Sequence, residues 1–305
     1  IGTDAFGSLV QNVLDEYGAG EGMICDEAAS TSYSVVLAMP GIDRIFLHHS
    51  GANDTFVAED MDFQRIGEAA LFHFGYPTLM RLMYESDGAR LVQLMQRVQA
   101  AGAATSLDLA AVDPKSEAGK ADWNEILKRT LPYVDFFVPS IEELCFMIDR
   151  ERFEQLQIRA GGGDITDILD IETDIKPLAK KCMAYGCKVF LLKCGAKGMY
   201  LQTAEGKKLE QISSRIGLDA SVWAEQAIFE RSYVPERILS GTGAGDTSIA
   251  AFLTAMLEGE HPQMCLHLAA ATGASCVAAY DALSGLKPLN ELRQKIEKGW
   301  EKTCL

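Results

Sequence analysis

Four short strand-like runs, Leu71 to Phe74, Ala104 to Asp108, Val134 to Val138 and Lys188 to Lys193, are set apart by stretches long enough for helices. That spacing is the strongest constraint on the fold. Antiparallel neighbours can be joined by a tight turn, whereas parallel ones need a crossover of a dozen or more residues, usually a helix. Helical periodicity between the runs, as in Leu91, Leu94, Met95 and Val98, supplies such crossovers. Strands that feed helices in this alternation form a sheet covered by helices on both faces. The expectation is an α/β chain with a mainly parallel central sheet. At 305 residues and 48% hydrophobic content, the chain can bury one large core.

Other segments are read by the same rules. Phe6, Leu9, Val10, Val13, Leu14 and Tyr17 share one helical face that stops at Gly18. Tyr33 to Met39 and Ile45 to His49 read as strands joined by a Pro40-Gly41 turn, a hairpin within about residues 25–55. Ile158 to Asp174, with Gly161 to Gly163 and several acids, reads as a flexible loop. Ile238 and Leu239 read as a short strand before a glycine-rich turn. No repeat or linker divides the chain, so residues 1–305 are taken as one domain.

Charge and composition exclude several functions. A net charge of −15 opposes binding to nucleic acid or an anionic membrane, because phosphate needs a basic surface. It also disfavours steering of anionic substrates, so a neutral sugar or nucleoside fits better. The eight cysteines contain no C-x-x-C, and the five histidines no H-E-x-x-H, so buried reduced thiols are expected rather than zinc. Leu266 to Tyr280, the longest nearly uncharged run, falls short of the roughly 20 residues a membrane helix needs. No basic-then-apolar leader opens the sequence, which points to the cytoplasm.

The chemistry concentrates in Ser240-Gly241-Thr242-Gly243-Ala244-Gly245-Asp246. Glycines ahead of a helix let backbone N–H groups converge beside the positive end of the helix dipole, which makes an anion site. Asp246 would repel a resting phosphate. Its presence there makes sense as a base taking the proton of a hydroxyl that attacks a phosphoryl group, or, more simply, as a helix cap. Further polar groups fall at the ends of the strand-like runs: Asp108, then Ser140 and Glu143, then Lys193 and Gly195. Ligands of open parallel sheets bind outside the carboxyl ends of strands, so one shared site is expected. Each group also has a plainer reading. Ser140 caps a helix, Glu143 favours a helix dipole, Lys193 is a solvated charge and Gly195 a turn glycine. On the acceptor side, Gly51, Asn53, Asp54 and Asp108, with His49 and Tyr76 beside them, offer donors and acceptors for vicinal hydroxyls. An Asx turn is the alternative for Asn53 and Asp54. His73 reads as a satisfied core or rim histidine. No G-x-x-x-x-G-K-[S/T] loop exists.

These motifs resemble those of the ribokinase-like (PfkB) carbohydrate kinases. Gly243 to Asp246 match the second signature of that family, Asp-Thr-x-Gly-Ala-Gly-Asp, with Ser240 and Gly241 where the family has Asp and Thr. Ile1 to Gly7 resembles its G-x-D-x-F-G helix start, and Gly51-Ala52-Asn53 its substrate-side loop. Pro139 to Glu143 resembles its Asn-x-x-Glu segment, and Leu192 to Gly198 its nucleotide strand end. The likeness runs along essentially the whole chain, apart from a first βαβ segment that the family places upstream. It implies a ribokinase-like fold with a small β lid, and transfer of a phosphoryl group from ATP to a hydroxymethyl group. Asp246 would be the base, with Gly243, Ala244 and Gly245 the anion hole. Gly195 and Ser140, the latter where the family has Asn, would lie on the nucleotide, and Glu143 would organise Mg²⁺. Lys193 stands where the family often has Thr and is given to the nucleotide by its place in the shared site. The stretch Ala271 to Gly285 would flank adenine. Ser240 would weaken a monovalent-cation site. A nucleoside kinase of the same fold and a non-catalytic sugar-binding or sensing protein stay open, as does a homodimer paired through the hairpin edge.

Overall fold

The computed structural model describes residues 1–37 and 45–304. The Pro40-Gly41 turn and the strand end at Ala38 and Met39 lie outside them. The central sheet has six strands: β3 (Leu71–Phe74), β4 (Ala104–Leu107), β5 (Phe136–Phe137), β6 (Val189–Lys193), β7 (Gly198–Thr203) and β8 (Ala227–Arg231). They lie side by side in chain order. β3 to β6 are parallel, while β7 and β8 return antiparallel. A separate antiparallel pair, β1 (Tyr33–Leu37) and β2 (Ile45–His49), forms the small sheet, with Tyr33 opposite His49.

Among the described residues, nine helices have eight or more residues. They are α1 (Ala5–Glu16), α2 (Arg81–Ala101), α3 (Trp123–Thr130), α4 (Ile141–Ile148), α5 (Arg150–Ala160), α6 (Lys176–Tyr185), α7 (Ala244–Leu257), α8 (Pro262–Cys276) and α9 (Leu289–Glu297). A strand order that never reverses, with right-handed crossovers, sends every crossover helix to one face of the sheet. Leu91, Leu94 and Val98 of α2, Ile126 and Leu127 of α3, Leu144 of α4 and Leu178 of α6 accordingly share a core with Leu107, Phe137, Phe190 and Leu192. The opposite face, Ala104, Phe136, Val138, Val189 and Leu191, is covered by Ile249, Phe252 and Met256 of α7 and by Leu266 and Ala269 of α8. Adjacent residues such as Phe136 and Phe137 serve different cores because side chains alternate along a strand. Of these nine residues, all but Leu107 and Ala104 lie in β5 or β6 or directly after β5, and each is fully buried.

Three readings of the sequence need correction or completion. Ile158 to Asp174 is not a loose loop: α5 runs to Ala160, Gly161 closes it at φ +58°, and the chain then buries Ile165 and Leu169. Arg159 ties the segment by donating to Asp174 and to the Ile168 carbonyl. Ile238 and Leu239 form no strand; Ile238 is exposed, and Leu239 N–H donates to Val277 O at 2.8 Å. The glycine-rich turn is therefore reached through irregular backbone after β8. Finally, α1 forms as expected, with Asp4 accepting from Gly7 N–H at 2.8 Å, but its apolar face is open. Phe6, Leu9 and Tyr17 are exposed, and the Phe6 ring rests 4.9 Å from that of Tyr33 on the equally exposed β1. Cys145, Cys182, Cys187, Cys194, Cys265 and Cys276 are buried free thiols. No described helix is long and apolar enough to cross a membrane.

Candidate active site

Because β3 to β6 run parallel, their carboxyl ends reach one edge together. β3 delivers Gly75 and Tyr76, β4 delivers Asp108, β5 leads through Val138 and Pro139 to Ser140, and β6 ends at Lys193. Ser140 and Lys193 continue the pairing as a parallel bridge. The N-terminus of α7 adds Gly243, Ala244, Gly245 and Asp246 to the same edge. Gly243 is its N-cap at φ +78°, in the left-handed region that favours glycine. A Cβ there would lie 2.3 Å from that of Ala282, so the position excludes any side chain.

Two contacts draw the elements together. The Tyr76 hydroxyl donates to an Asp246 carboxylate oxygen, joining β3 to α7 across 170 positions of sequence. Lys193 Nζ donates to both oxygens of Asp108, at 2.9 and 2.8 Å. A Cβ built on Gly245 would lie 3.7 Å from that ammonium, which places Lys193 against the glycine turn. Burial pushes the Asp108 carboxyl up to about 7; the Lys193 ammonium opposes the rise and Glu143 adds to it. Burial, followed by the bond to Asp246, holds the Tyr76 phenol well above its ordinary range. His73 Nδ1 lies 2.9 Å from Ser106 Oγ across the β3–β4 pairing. Desolvation and Lys193 lower its pKa, against a smaller upward pull from Asp246.

Ser140 and Glu143 form a reciprocal cap on α4. Glu143 Oε2 accepts from Ser140 N–H at 3.0 Å, and Ser140 Oγ accepts from Glu143 N–H at 3.4 Å. The helix-capping reading is thus realised for both residues, while Glu143 still acts electrostatically on Asp108 and Tyr76. No group of three or more His, Cys, Asp or Glu among the described residues could hold a metal ion. One carboxylate beside the site fits Mg²⁺ that arrives on phosphate with most of its waters, since this ion uses few protein ligands. Gly195 has a packing reason of its own: φ is +58°, and a Cβ would meet Thr166 Oγ1 at 2.6 Å. Ser240 Oγ accepts from Thr242 N–H at 3.1 Å in a local turn.

The hairpin-side candidates form a second group. Gly51 has φ +50°, and a Cβ there would meet Ser30 O at 2.3 Å. Asn53 Nδ2 donates to Ser32 Oγ at 3.1 Å. Asp54 accepts from Ser50 Oγ and from Arg81 N–H, the latter at 3.3 Å. His49 Nε2 lies 2.7 Å from Ser30 Oγ. These bonds hold the Gly51 to Asp54 turn against the base of the hairpin and the start of α2. Sequence reasoning foresaw neither the pairing of Lys193 with Asp108 nor the contact between Tyr76 and Asp246. The only local signal for the latter is the Gly75-Tyr76-Pro77 turn at a strand end, which looks like many others.

Comparison with known proteins follows the same outline. The chain is 24% identical to a ribokinase of Arabidopsis thaliana over 295 residues, covering 94% of this chain and 63% of that protein. It therefore spans less than two thirds of that relative's length. The structure of Arabidopsis thaliana ribokinase complexed with ribose and ATP superposes with a TM-score of 0.66 at 23% identity, covering 96% of this chain and 79% of that one. Fructokinase with bound ATP from Xylella fastidiosa gives a TM-score of 0.69 at 20% identity, covering 98% of this chain and 83% of that one. At such identities the likeness to these structures is one of fold: a mainly parallel sheet flanked by helices, with a small antiparallel sheet beside it. The family description "pfkB family carbohydrate kinase" matches residues 1–288, and the chain belongs to that family.

Proposed function

We propose that this chain transfers the γ-phosphoryl group of ATP to a hydroxymethyl group of a small carbohydrate. The observation that carries this reading is the placement of Asp246 in the first turn of α7, beside the left-handed Gly243 and across from Lys193. Asp246 takes the proton of the attacking hydroxyl, a contribution of about 10²–10⁴-fold for a positioned base. The N–H groups of Gly243, Ala244 and Gly245, with the α7 dipole behind them, face the charge that develops on the transferred group. Lys193 offers its ammonium to phosphate oxygens when it exchanges Asp108 for them. When bound, Mg²⁺ would neutralise charge on the phosphates, and Glu143 would hold it through its waters. Gly195 and Ala271 to Gly285 border the nucleotide in this reading. Gly51, Asn53, Asp54 and Asp108 serve the acceptor, and the β1–β2 hairpin acts as its lid.

The test is ATP consumption against a panel of sugars and nucleosides, with Asp246→Asn beside the unmodified chain. The variant keeps shape but loses the proton acceptor, so turnover should fall by about 10²-fold or more. ATP affinity should hold or tighten, because a negative charge leaves the anion site. Turnover of nucleosides alone would make the chain a nucleoside kinase. Sugar binding without turnover in either protein would make it a sensor. An Asn variant that keeps most of its rate would remove Asp246 from the role of base.

A further inference from the structure

Resting on the reading of Asp246 as base, we propose that Tyr76 discriminates the acceptor hydroxyl from water. Its phenol occupies the place on Asp246 that an acceptor must take, and yields it only to a ligand with further contacts to the protein.

Asp246 is exposed at the mouth of the site. A base open to solvent beside an anion hole would activate water as readily as a sugar. Water oxygen would attack the γ-phosphorus, the bond to the ADP oxygen would break, and the water proton would pass to Asp246, leaving ADP and phosphate. The Tyr76 hydroxyl donates to Asp246 in the way either nucleophile would. Phenol to carboxylate is a charge-assisted bond, stronger than one between neutral groups. The phenol is held within the same molecule, so a water offering a single hydrogen bond gains nothing by replacing it. A sugar brings several hydroxyls and ring surface, and can offset the exchange.

The backbone supports this placement. Tyr76 stands at φ +66° and ψ +51°, a conformation unusual for a bulky residue that persists only where neighbours enforce it. Pro77 follows it, the Tyr76 carbonyl accepts from Leu79 N–H at 2.9 Å, and the buried Thr78 Oγ1 accepts from Ala110 N–H at 3.2 Å. Burial and the neighbouring carboxylate keep the phenol protonated across the working range, so it stays a donor. It does not become a competing base.

The experiment compares Tyr76→Phe with the unmodified chain. ATP hydrolysis is measured with Mg-ATP and no acceptor, and phosphorylation with D-ribose and D-fructose as acceptor probes. Loss of the bond should raise acceptor-free hydrolysis about tenfold or more. For whichever probe is phosphorylated, KM should fall while kcat stays within about twofold, because binding no longer has to break that bond. Tyr76→Asn, which tolerates a left-handed backbone, should raise hydrolysis in the same direction. The double variant Tyr76→Phe/Asp246→Asn should lose the rise. Unchanged acceptor-free hydrolysis in both Tyr76 variants overturns the proposal and leaves Asp246 as base. A fall in kcat with hydrolysis unchanged also overturns it, by placing Tyr76 in the transfer step. A rise that survives in the double variant shows that Tyr76 does not act through Asp246. Full activity of Asp246→Asn alone refutes the underlying reading instead.

Discussion

Gly243→Ala puts the glycine turn proposed as the anion hole under direct strain. The new methyl would meet Ala282 Cβ at 2.3 Å and Ala282 Cα at 3.1 Å. Carbon atoms rest at about 3.5–4.0 Å, so one side must move by roughly an ångström or more. The Ala282 side is the firmer. Asp281 accepts from Leu283 N–H at 2.9 Å and from Ser284 N–H at 2.8 Å. Gly285 packs so closely on α8 that a Cβ there would stand 2.4 Å from Ser275 O. The glycine turn is partly exposed and gives way first, taking the N–H groups of Ala244 and Gly245 with it. Left-handed backbone at alanine costs about 1–2 kcal/mol, and overpacking adds about 1–3 kcal/mol. The expected loss of stability is therefore about 2–5 kcal/mol, near the lower figure if the turn shifts freely. Misplacing the donors by an ångström should lower kcat about 10²-fold. Steady-state ADP release with a phosphorylated acceptor gives the rate, and urea denaturation gives the stability. Adding Ala282→Gly removes the 2.3 Å contact but keeps the 3.1 Å one and the strained φ, so rate and stability should return in part. Gly243→Ala with kcat within about threefold of the original would show that this turn does not hold the transferring charge.

Two further outcomes test other parts of the site. Asp108 is raised from 3.8 to about 7, so between these values the folded chain keeps a proton that the unfolded chain releases. The stability it contributes is complete below 3.8 and lost as pH rises through about 7. Asp108→Asn should lose less stability than the original between pH about 4 and about 8 in urea titrations, and equal slopes would show that Asp108 ionises normally. Ser240 supplies a hydroxyl engaged with Thr242 and no charge, where the family motif has Asp. Turnover in potassium should match that in tetramethylammonium at equal ionic strength to within about twofold, and strong potassium activation would mean another group provides the missing charge.

The legible part of the fold was the part with continuous apolar signal. β4 to β6 are buried, β5 and β6 with almost wholly apolar sequence, and the crossovers that join β3 to β6 carry helical periodicity. β7 and β8 were not singled out. Gly198 to Thr203 opens with glycine, and Ala227 to Arg231 mixes apolar and charged residues. The Ile238-Leu239 pair misled in the other direction, because two apolar residues satisfy a strand pattern without any partner to pair with. Gly161 to Gly163 suggested slack chain, whereas Gly161 ends a helix and the burial of Ile165 and Leu169 depends on packing that no local pattern encodes. In the candidate site, the glycine turn and Asp246 were legible as a glycine-rich approach to a helix N-terminus, because glycine spacing and helical periodicity are both local signals. Lys193 was readable only as a strand end. Its pairing with Asp108, and that of Tyr76 with Asp246, arise where distant strand ends converge, and sequence carries no term for that.

The strand order also sets a timetable for synthesis. The crossover helices close one core as each strand is made, but Ala104, Phe136, Val138, Val189 and Leu191 wait for α7 and α8. At ribosomal rates of about 5–20 residues per second, the interval between Ala104 and the end of α7 is roughly 8–30 s. For that time a growing chain carries a bare apolar sheet face, a target for chaperones and for other nascent chains. The first of the two helices to cover it is the one bearing Asp246. The start of that closure and arrival of the carboxylate are thus one event, and a chain cut short before α7 has neither.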